Sequence, residues 1–235
     1  MKYKMDRIQH TLFINLDARK DRLEHVTNQL KSIGLEPDGD KVTRFSAIKL
    51  QNGRVGCSMS HLKCLQMAKE KRWENVFICE DDITFTKPEV FTEQTNKFFN
   101  SDKTKNWDVC IVAGNNVPPY EQIDDFCIKV SHCQTTTGYI VNEHYYDTLI
   151  QNYREGIQKL ISNPERHVQF AIDKHWINLQ RRDNWYLIIP ATVIQLEDYS
   201  DIEGRVVNYN WHMLDIDKKE FIARRKAQMA MMKRF

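Results

Sequence analysis

In the first third of the chain, the spacing of the hydrophobic residues alternates between that of a buried strand and that of a helix. Residues 11–16 form an almost continuous apolar run, which is typical of a strand buried on both faces. The next apolar residues recur every three or four positions as far as Gly34, which predicts a helix that ends at this glycine. Residues 42–48 and 76–79 predict two further strands with a second helical pattern between them. The resulting β-α-β-α-β order predicts a parallel sheet with helices on its faces.

The remainder of the chain predicts additional strands and helices around this unit. We expect a helix that begins at Pro88 and a strand over residues 107–113 that ends in a turn. Antiparallel strands are predicted near residues 128–131 and 136–141, helices over 145–153, 156–161 and 168–179, a strand over 186–190 and a polar loop over 195–205. We predict one α/β domain over residues 1–214 and a basic helix over 215–235 that packs on it.

Three acidic residues, Glu80, Asp81 and Asp82, directly follow the apolar run of residues 76–79. Because side chains alternate along a strand, we expect Glu80 and Asp82 on one side and Asp81 on the other. Neighbouring carboxylates repel each other unless a cation or a proton lies between them. Their hard oxygen ligands suit Mg²⁺ or Mn²⁺ carrying phosphates. The alternative is a solvated acidic turn, since Asp and Glu lie mostly outside.

Two segments beside this strand have features of phosphate-binding loops. Gly53 and Gly56 precede the second helical pattern, and a helix N-terminus presents free N–H groups to an anion. Arg19 and Arg22 follow the first strand, at the edge where α/β sheets bind ligands. Structural roles explain these residues equally well, with Ser58 as a helix N-cap and both arginines solvated.

Composition narrows the class of protein. The 235 residues are 41% hydrophobic and carry a net charge of +2, so no strong field favours nucleic acid or an anionic membrane. The N-terminus has no apolar segment of a signal peptide, and no stretch approaches the length of a membrane span. We therefore expect a cytoplasmic protein. The six cysteines are expected to be free thiols, with a bridge between Cys127 and Cys133 as the alternative in an oxidising compartment.

Several sequence blocks together resemble glycosyltransferase family 25, which includes lipooligosaccharide and procollagen galactosyltransferases. Residues 13–22 resemble its INL-x-x-R-x-DR block, and residues 53–61 match its G-x-x-G-C-x-x-S-H block. Residues 80–82 stand where the family has LEDD. Weaker similarities lie at residues 45–48, 107–108, 136–139, 172–173 and 190–202. The chain also resembles the short members found in large DNA viruses of protists, which would place it in the host cytoplasm or a virion.

This resemblance implies a fold and a reaction. The fold would be GT-A, a Rossmann-like mixed sheet flanked by helices. The reaction would be an inverting transfer of a hexose, galactose or glucose, from a UDP-sugar to a hydroxyl of a glycan or of hydroxylysine. Mn²⁺, or Mg²⁺ in its place, would be the cofactor. No nucleic-acid partner is expected, and the oligomeric state stays open.

The resemblance also implies roles for individual residues. Asp82 would be the direct metal ligand, and Glu80 would bind the metal through water or hold the ribose of the donor. A third ligand would come from Asp198 or Asp201, with His212 less favoured. Asp173 would be the catalytic base, although an ordinary helix N-terminal acid is the alternative explanation.

The remaining predicted site residues would bind the donor. Asp81 is expected near the reacting sugar, as a second catalytic residue. The residues expected at the nucleotide or the diphosphate are Asn15, Leu16, Asp17, Arg22, Ala47, Ser60 and His61.

Two other functions stay open at this point. Glu80, Asp82 and Thr84 resemble the Asp-x-Asp-x-Thr motif of haloacid-dehalogenase phosphatases, except that Glu replaces the nucleophilic Asp. A non-catalytic nucleotide-sugar-binding protein is the second alternative.

Overall fold

The computed structural model describes residues 5–37, 39–219 and 221–223, and its centre is an eight-stranded mixed sheet. The first part of the chain forms the predicted β-α-β-α-β unit. Its elements are β1 (His10–Asn15), α1 (Lys20–Ser32), β2 (Val42–Ser46), α2 (Gly53–Lys71) and β3 (Asn75–Glu80). β1 lies between β2 and β3 and runs parallel to both. The carboxyl ends of these three strands therefore meet at one edge of the sheet, with Ile14 beside Glu80.

The chain then adds the elements of its central part. These are β4 (Ile83–Phe85), α3 (Pro88–Asn100), β5 (Val109–Asn116), β6 (Tyr120–Asp124), β7 (Cys127–Val130), β8 (Cys133–Asn142) and α4 (Tyr146–Ser162). Three short helices follow, α5 (His167–Phe170), α6 (Ile172–His175) and α7 (Ile177–Gln180). Short 3₁₀ turns lie at Asp102–Thr104, Glu143–Tyr145 and Pro164–Arg166.

The last described part of the chain consists of short elements. They are β9 (Trp185–Ile188), β10 (Val193–Gln195), β11 (Asp198–Ser200), β12 (Arg205–Val207) and α8 (Asn210–Leu214). The large sheet has the order β2-β1-β3-β8-β5-β9-β7-β6, and β8 is antiparallel to both of its neighbours. β10 pairs with β4, and β11 with β12 forms a hairpin.

Both faces of the sheet are covered, which explains why inner strands such as β3 and β5 are almost continuously apolar. In β3, Phe77 and Cys79 face the core beneath α1 and α3, whereas Val76 and Ile78 face the core beneath α2 and α4. The second core contains the fully buried Trp176, which packs edge-on against Trp185. In the part of the chain that the structure describes, no helix is both long and apolar enough to cross a membrane.

Some predicted boundaries were wrong for identifiable reasons. β5 continues through residues 114–116, because Gly114 allows β8 to approach closely: a Cβ there would lie 2.4 Å from Cys133 Sγ. The two helices predicted over 145–161 are one helix, α4, and the helix predicted over 168–179 is divided into α5, α6 and α7. The N-cap of α2 is Asn52 and not Ser58, whose hydroxyl donates to the Arg54 carbonyl inside the helix.

The predicted boundary between residues 1–214 and a C-terminal helix stays a prediction. Residues 215–219 and 221–223 are described, and the amide of Ile222 bonds the carbonyl of Lys218 in helical fashion. The rest of the predicted helix, residue 220 and residues 224–235, lies outside the described residues.

Candidate active site

Two cavities open side by side at the carboxyl edge of β1 and β3. The first, of about 430 Å³, contains Asp82 in its wall and is called the Asp82 cavity. The second, of about 390 Å³, contains Asp173 and is called the Asp173 cavity. The residues common to both walls are Cys57, Glu80, Gln195, Ser200 and Ile202. A larger cavity of about 770 Å³ lies at the opposite edge of the sheet, and none of the described residues in its wall is a predicted site residue.

All three acids of the triplet line the Asp82 cavity, and Glu80 also lines the Asp173 cavity. β3 ends at Glu80, and Asp81 and Asp82 already belong to a turn, so the strict alternation expected along a strand does not apply to them. Glu80 Oε1 accepts hydrogen bonds from Thr136 Oγ1 at 2.6 Å and from the His61 ring at 3.1 Å. Burial would raise the pKa of Glu80, but these bonds and the charge of His61 lower it overall. Glu80 is thus held as a carboxylate where the cavities meet.

A single guanidinium group connects the other two acids. Arg22 lies in the first turn of α1, and its Nη1 is 3.2 Å from Asp81 Oδ1 and 3.5 Å from Asp82 Oδ2. A cation does lie between two of these carboxylates: it is the Arg22 guanidinium, and it joins Asp81 to Asp82 rather than Glu80 to Asp82. Asp81 also accepts a bond of 2.7 Å from Asn15, so both of its oxygens have partners.

Asp82 is the least satisfied of the three acids. It is 4% exposed, and Gln195 Nε2 donates to its Oδ2 at 2.7 Å. Its Oδ1 is buried and has no hydrogen-bond partner among the described residues. Burial, followed by the charge of Glu80, raises the pKa of Asp82 to about 7. A buried carboxylate oxygen without a partner is costly, and such an atom requires an explanation.

The predicted third metal ligands lie on the β11–β12 hairpin; Asp201 lines the Asp82 cavity, whereas Asp198 is not among the described residues of its wall. Asp198 accepts from Arg22 Nε at 3.1 Å and pairs with Arg19, whose Nη1 also lies 3.0 Å from Asp201 Oδ2. Two arginines therefore stand between the hairpin and the triplet. Glu80, Asp82, Asp198 and Asp201 do not converge on one point in the described structure. Among the described residues, the one group of three or more metal-ligating side chains close enough to share an ion is Cys57, His61 and Glu80.

Asp173 lies in the first turn of the short helix α6 and lines the Asp173 cavity. Its Oδ2 accepts from the Thr135 amide at 3.2 Å and is 3.4 Å from Lys174 Nζ. Thr135 has a φ of 76°, which is unusual for a β-branched residue. The hydroxyl of Thr135 bonds the Ala113 carbonyl and helps to hold this conformation. Strain of this kind is often found at functional sites.

The residues predicted to bind the donor fall into two groups. Those that line the Asp82 cavity are Leu16, Arg22, Ala47, Ser60 and His61. Asn15 and Asp17 are not among the described residues of that wall. Asn15 instead bonds Asp81 and the Arg19 carbonyl, and Asp17 pairs with Arg44. Asn15 therefore holds the turn after β3 in position through Asp81 and does not line the cavity in the described structure.

Two further predicted residues lie away from the cavities. His212 stacks on Trp211 in α8 and is not among the described residues of either wall. The Thr84 hydroxyl contacts His25 and the Asp82 carbonyl, so it does not face Glu80 as the phosphatase alternative would require.

Sequence reasoning did not assign a role to Cys57 or Thr136, which both contact Glu80. For Cys57 a signal was present, because Cys57 and His61 are four residues apart and share one face of α2. For Thr136 no local signal exists, since its contact depends on the antiparallel pairing of β8 with β3.

Proteins with an open α/β sheet bind their ligands at the carboxyl ends of the strands. The two adjoining cavities, which are rich in carboxylates, lie at this edge and place the protein in that class. The sequence model of glycosyltransferase family 25 (LPS biosynthesis protein) matches residues 40–173, more than half of the chain. The chain belongs to glycosyltransferase family 25. It is therefore a glycosyltransferase, so the predicted family and enzyme class are confirmed, and the mixed sheet flanked by helices confirms the predicted α/β class.

The chain is distantly similar to several solved structures. A glycosyltransferase involved in glycosylation of the major capsid of PBCV-1 is 9% identical, with a TM-score of 0.41 over 78% of this chain and 93% of that one. Mouse xyloside xylosyltransferase 1 is 8% identical, with a TM-score of 0.45 over 84% and 99%. Mannose-1-phosphate geranyltransferase from Thermus thermophilus is 7% identical, with a TM-score of 0.46 over 83% and 75%. No curated protein matches the chain. The family assignment therefore rests on the family's sequence model.

Proposed function

We propose that the protein is a metal-dependent inverting glycosyltransferase that moves a hexose from a UDP-sugar to a hydroxyl group. The observation that carries this proposal is the pair of adjoining cavities that share the Glu80 wall. One contains the buried carboxylates and Arg22, and the other contains Asp173. Two substrates that exchange a sugar need neighbouring sites with a common boundary, and this arrangement supplies them.

The Asp82 cavity suits the nucleotide diphosphate part of the donor. Its wall combines apolar side chains, Leu16 and Ala47, with the guanidinium groups of Arg19 and Arg22. Apolar surface can hold the uracil and ribose, and arginine matches phosphate geometry. Its volume of about 430 Å³ is within the range of small-ligand pockets.

The residues around Asp82 fit a hard divalent cation such as Mn²⁺ or Mg²⁺. The fit rests on Asp82 Oδ1, a buried carboxylate oxygen that has no partner among the described residues. Asp82 would be the direct ligand. Glu80 would supply a further ligand, or Asp198 or Asp201 would do so once Arg19 and Arg22 no longer pair with them. When bound, the ion would neutralise charge on the leaving diphosphate. Arg22, which already contacts Asp81 and Asp82, is placed to turn toward phosphate instead.

Asp173 is the proposed base. In a single displacement, the acceptor oxygen forms a bond to the anomeric carbon while the bond from that carbon to the UDP oxygen breaks. The acceptor proton passes to the Asp173 carboxylate, and the configuration at the anomeric carbon inverts. The Thr135 amide donates to Asp173 Oδ2, and Asp173 lines the cavity proposed for the acceptor. Asp81, bound by Asn15 and Arg22, is proposed to orient the donor side of the site.

The donor is proposed to be UDP-galactose or UDP-glucose, and the acceptor a glycan or hydroxylysine. A screen of UDP-sugars for Mn²⁺-dependent hydrolysis tests this without an acceptor. We expect UDP release from one hexose donor, abolished by a chelator. Phosphate release from p-nitrophenyl phosphate instead would favour the phosphatase alternative. Donor binding with neither hydrolysis nor transfer to any acceptor in a panel would favour a binding protein.

A further inference from the structure

We propose that Cys57, His61 and Glu80 form a second cation site, selective for zinc-class ions, where the two cavities meet. Among the described residues, no other three metal-ligating side chains bring their ligand atoms within 4.8 Å of one another. The site shares Glu80 with the all-oxygen site proposed at Asp82 but differs from it in chemistry, because it offers a sulfur, a nitrogen and an oxygen. Thiolate and imidazole ligands prefer Zn²⁺ over Mn²⁺ or Mg²⁺.

The distances between the ligand atoms fit a tetrahedral ion. With ordinary zinc bond lengths, neighbouring ligand atoms are separated by about 3.3–3.6 Å. Glu80 Oε1 lies 3.1 Å from His61 Nε2 and 3.8 Å from Cys57 Sγ. The remaining separation is within 4.8 Å, so binding needs movements on the order of 1 Å. Cys57 and His61 share one face of α2, which fixes two of the three ligands on a rigid element.

The groups behind these ligands suit metal binding as well. The other ring nitrogen of His61, Nδ1, lies 2.9 Å from the Tyr139 hydroxyl. A hydroxyl both donates and accepts, so it can hold the tautomer that carries the proton on Nδ1 and leaves Nε2 free for an ion. Thr136 fixes the Glu80 carboxylate at 2.6 Å. Ligands held in this way by outer partners are typical of metal sites in proteins.

The site is reachable from solvent and has an open position. Cys57 and Glu80 line both cavities, so the fourth ligand of a tetrahedral ion would be a water in the passage between them. Binding takes the sulfur as a thiolate, and the Cys57 proton is released to the buffer. Since no donor, acceptor or transfer step is involved, this site can be tested whether or not the proposed reaction is correct.

Cobalt spectroscopy of the full-length protein tests the ligand set. Co²⁺ bound by a thiolate gives a near-ultraviolet charge-transfer band, which oxygen and nitrogen ligands do not produce. We expect one equivalent of Co²⁺ to give this band and Zn²⁺ to displace it. Cys57→Ser should remove the band, and Glu80→Gln should weaken Co²⁺ binding about tenfold or more. His144→Gln is the matched control, because His144 pairs with Asp108 in an unrelated histidine–carboxylate contact and its loss should leave the band intact.

A second measurement uses the unmodified protein and so does not depend on a variant that folds. Of the six cysteines, all of which the structure describes, five are buried and Cys57 is partly exposed. Burial raises the pKa of the Cys57 thiol, so alkylation is run at alkaline pH with excess reagent, and its greater exposure should make Cys57 the first cysteine that mass spectrometry reports. We expect stoichiometric Zn²⁺ to slow Cys57 alkylation about tenfold or more and equal Mn²⁺ to leave it unchanged. An unchanged alkylation rate in Zn²⁺, or a charge-transfer band that survives Cys57→Ser, would overturn the proposal.

Discussion

Replacing Asp82 with asparagine is expected to stabilise the metal-free protein, and the gain should grow as the pH rises. Asp82 is buried, and its Oδ1 has no partner among the described residues. Burial and the neighbouring charge of Glu80 raise its pKa from 3.8 to about 7. The folded protein therefore holds the Asp82 proton more tightly than the unfolded chain does, and ionising this group costs stability.

The size of the effect follows from the raised pKa of Asp82. The cost is absent well below pH 3.8, where both states are protonated, and complete above about pH 7, where both are ionised. One pKa unit corresponds to about 1.4 kcal/mol, so the full cost is about 4 kcal/mol, of which about 3 kcal/mol develops between about pH 5 and pH 8. Asparagine cannot ionise, so the stability of Asp82→Asn relative to wild type should increase by about that amount over the interval.

Urea denaturation at the two pH values, with a chelator present, measures this difference. Asp147→Asn is the matched control, because it removes an exposed carboxylate that pairs with Lys69 on the surface. Its stability relative to wild type should change much less between the two conditions. A stability difference for Asp82→Asn that is independent of pH, or that becomes less favourable as the pH rises, would refute the reasoning.

Three further predictions concern the arginine, the glycine and the base of the site. Arg22→Met should lower the free energy of unfolding by about 3–5 kcal/mol near neutral pH, because the buried carboxylates of Asp81 and Asp82 lose the guanidinium that pairs with them. Urea denaturation measures this loss, and a value below about 1 kcal/mol would contradict the prediction. Gly56→Ala would place a Cβ 2.4 Å from the Ile48 carbonyl oxygen, so the wall of the Asp82 cavity at Ile48 must move. Calorimetry should therefore show weaker binding of the UDP-sugar, and an unchanged affinity would contradict this prediction. Asp173→Asn should reduce transfer by about 10²–10⁴-fold with donor affinity retained, and near-normal turnover would exclude the proposed base.

The sheet was largely predictable because its signals are local. Buried strands such as β1 and β3 are short apolar runs, and the apolar residues of α1 have a clear period of three to four residues. Parallel order then places the carboxyl ends of β1 and β3 together, so the neighbourhood of Glu80, Asp81 and Asp82 followed from topology. The antiparallel position of β7 and β8 was also anticipated.

The internal geometry of the site was not predictable, because it depends on contacts between distant segments. Asp198 is 176 residues from Arg22, and no sequence pattern indicates that the β11–β12 hairpin returns to the start of α1. The expected alternation of Glu80, Asp81 and Asp82 does not extend past Glu80, because β3 ends there and the two aspartates belong to the following turn. The assignment of Asp173 as base, the metal ligands and the viral and cytoplasmic interpretations stay predictions.

The most direct test of the proposed function is calorimetric binding of UDP-galactose and UDP-glucose with and without Mn²⁺. We expect one of these donors to bind the wild-type protein in Mn²⁺, to lose most of its affinity in a chelator, and to lose it equally when Asp82→Asn is examined in Mn²⁺. Failure of every nucleotide diphosphate sugar to bind, or binding unaffected by both the chelator and Asp82→Asn, would contradict a metal-dependent donor site at Asp82.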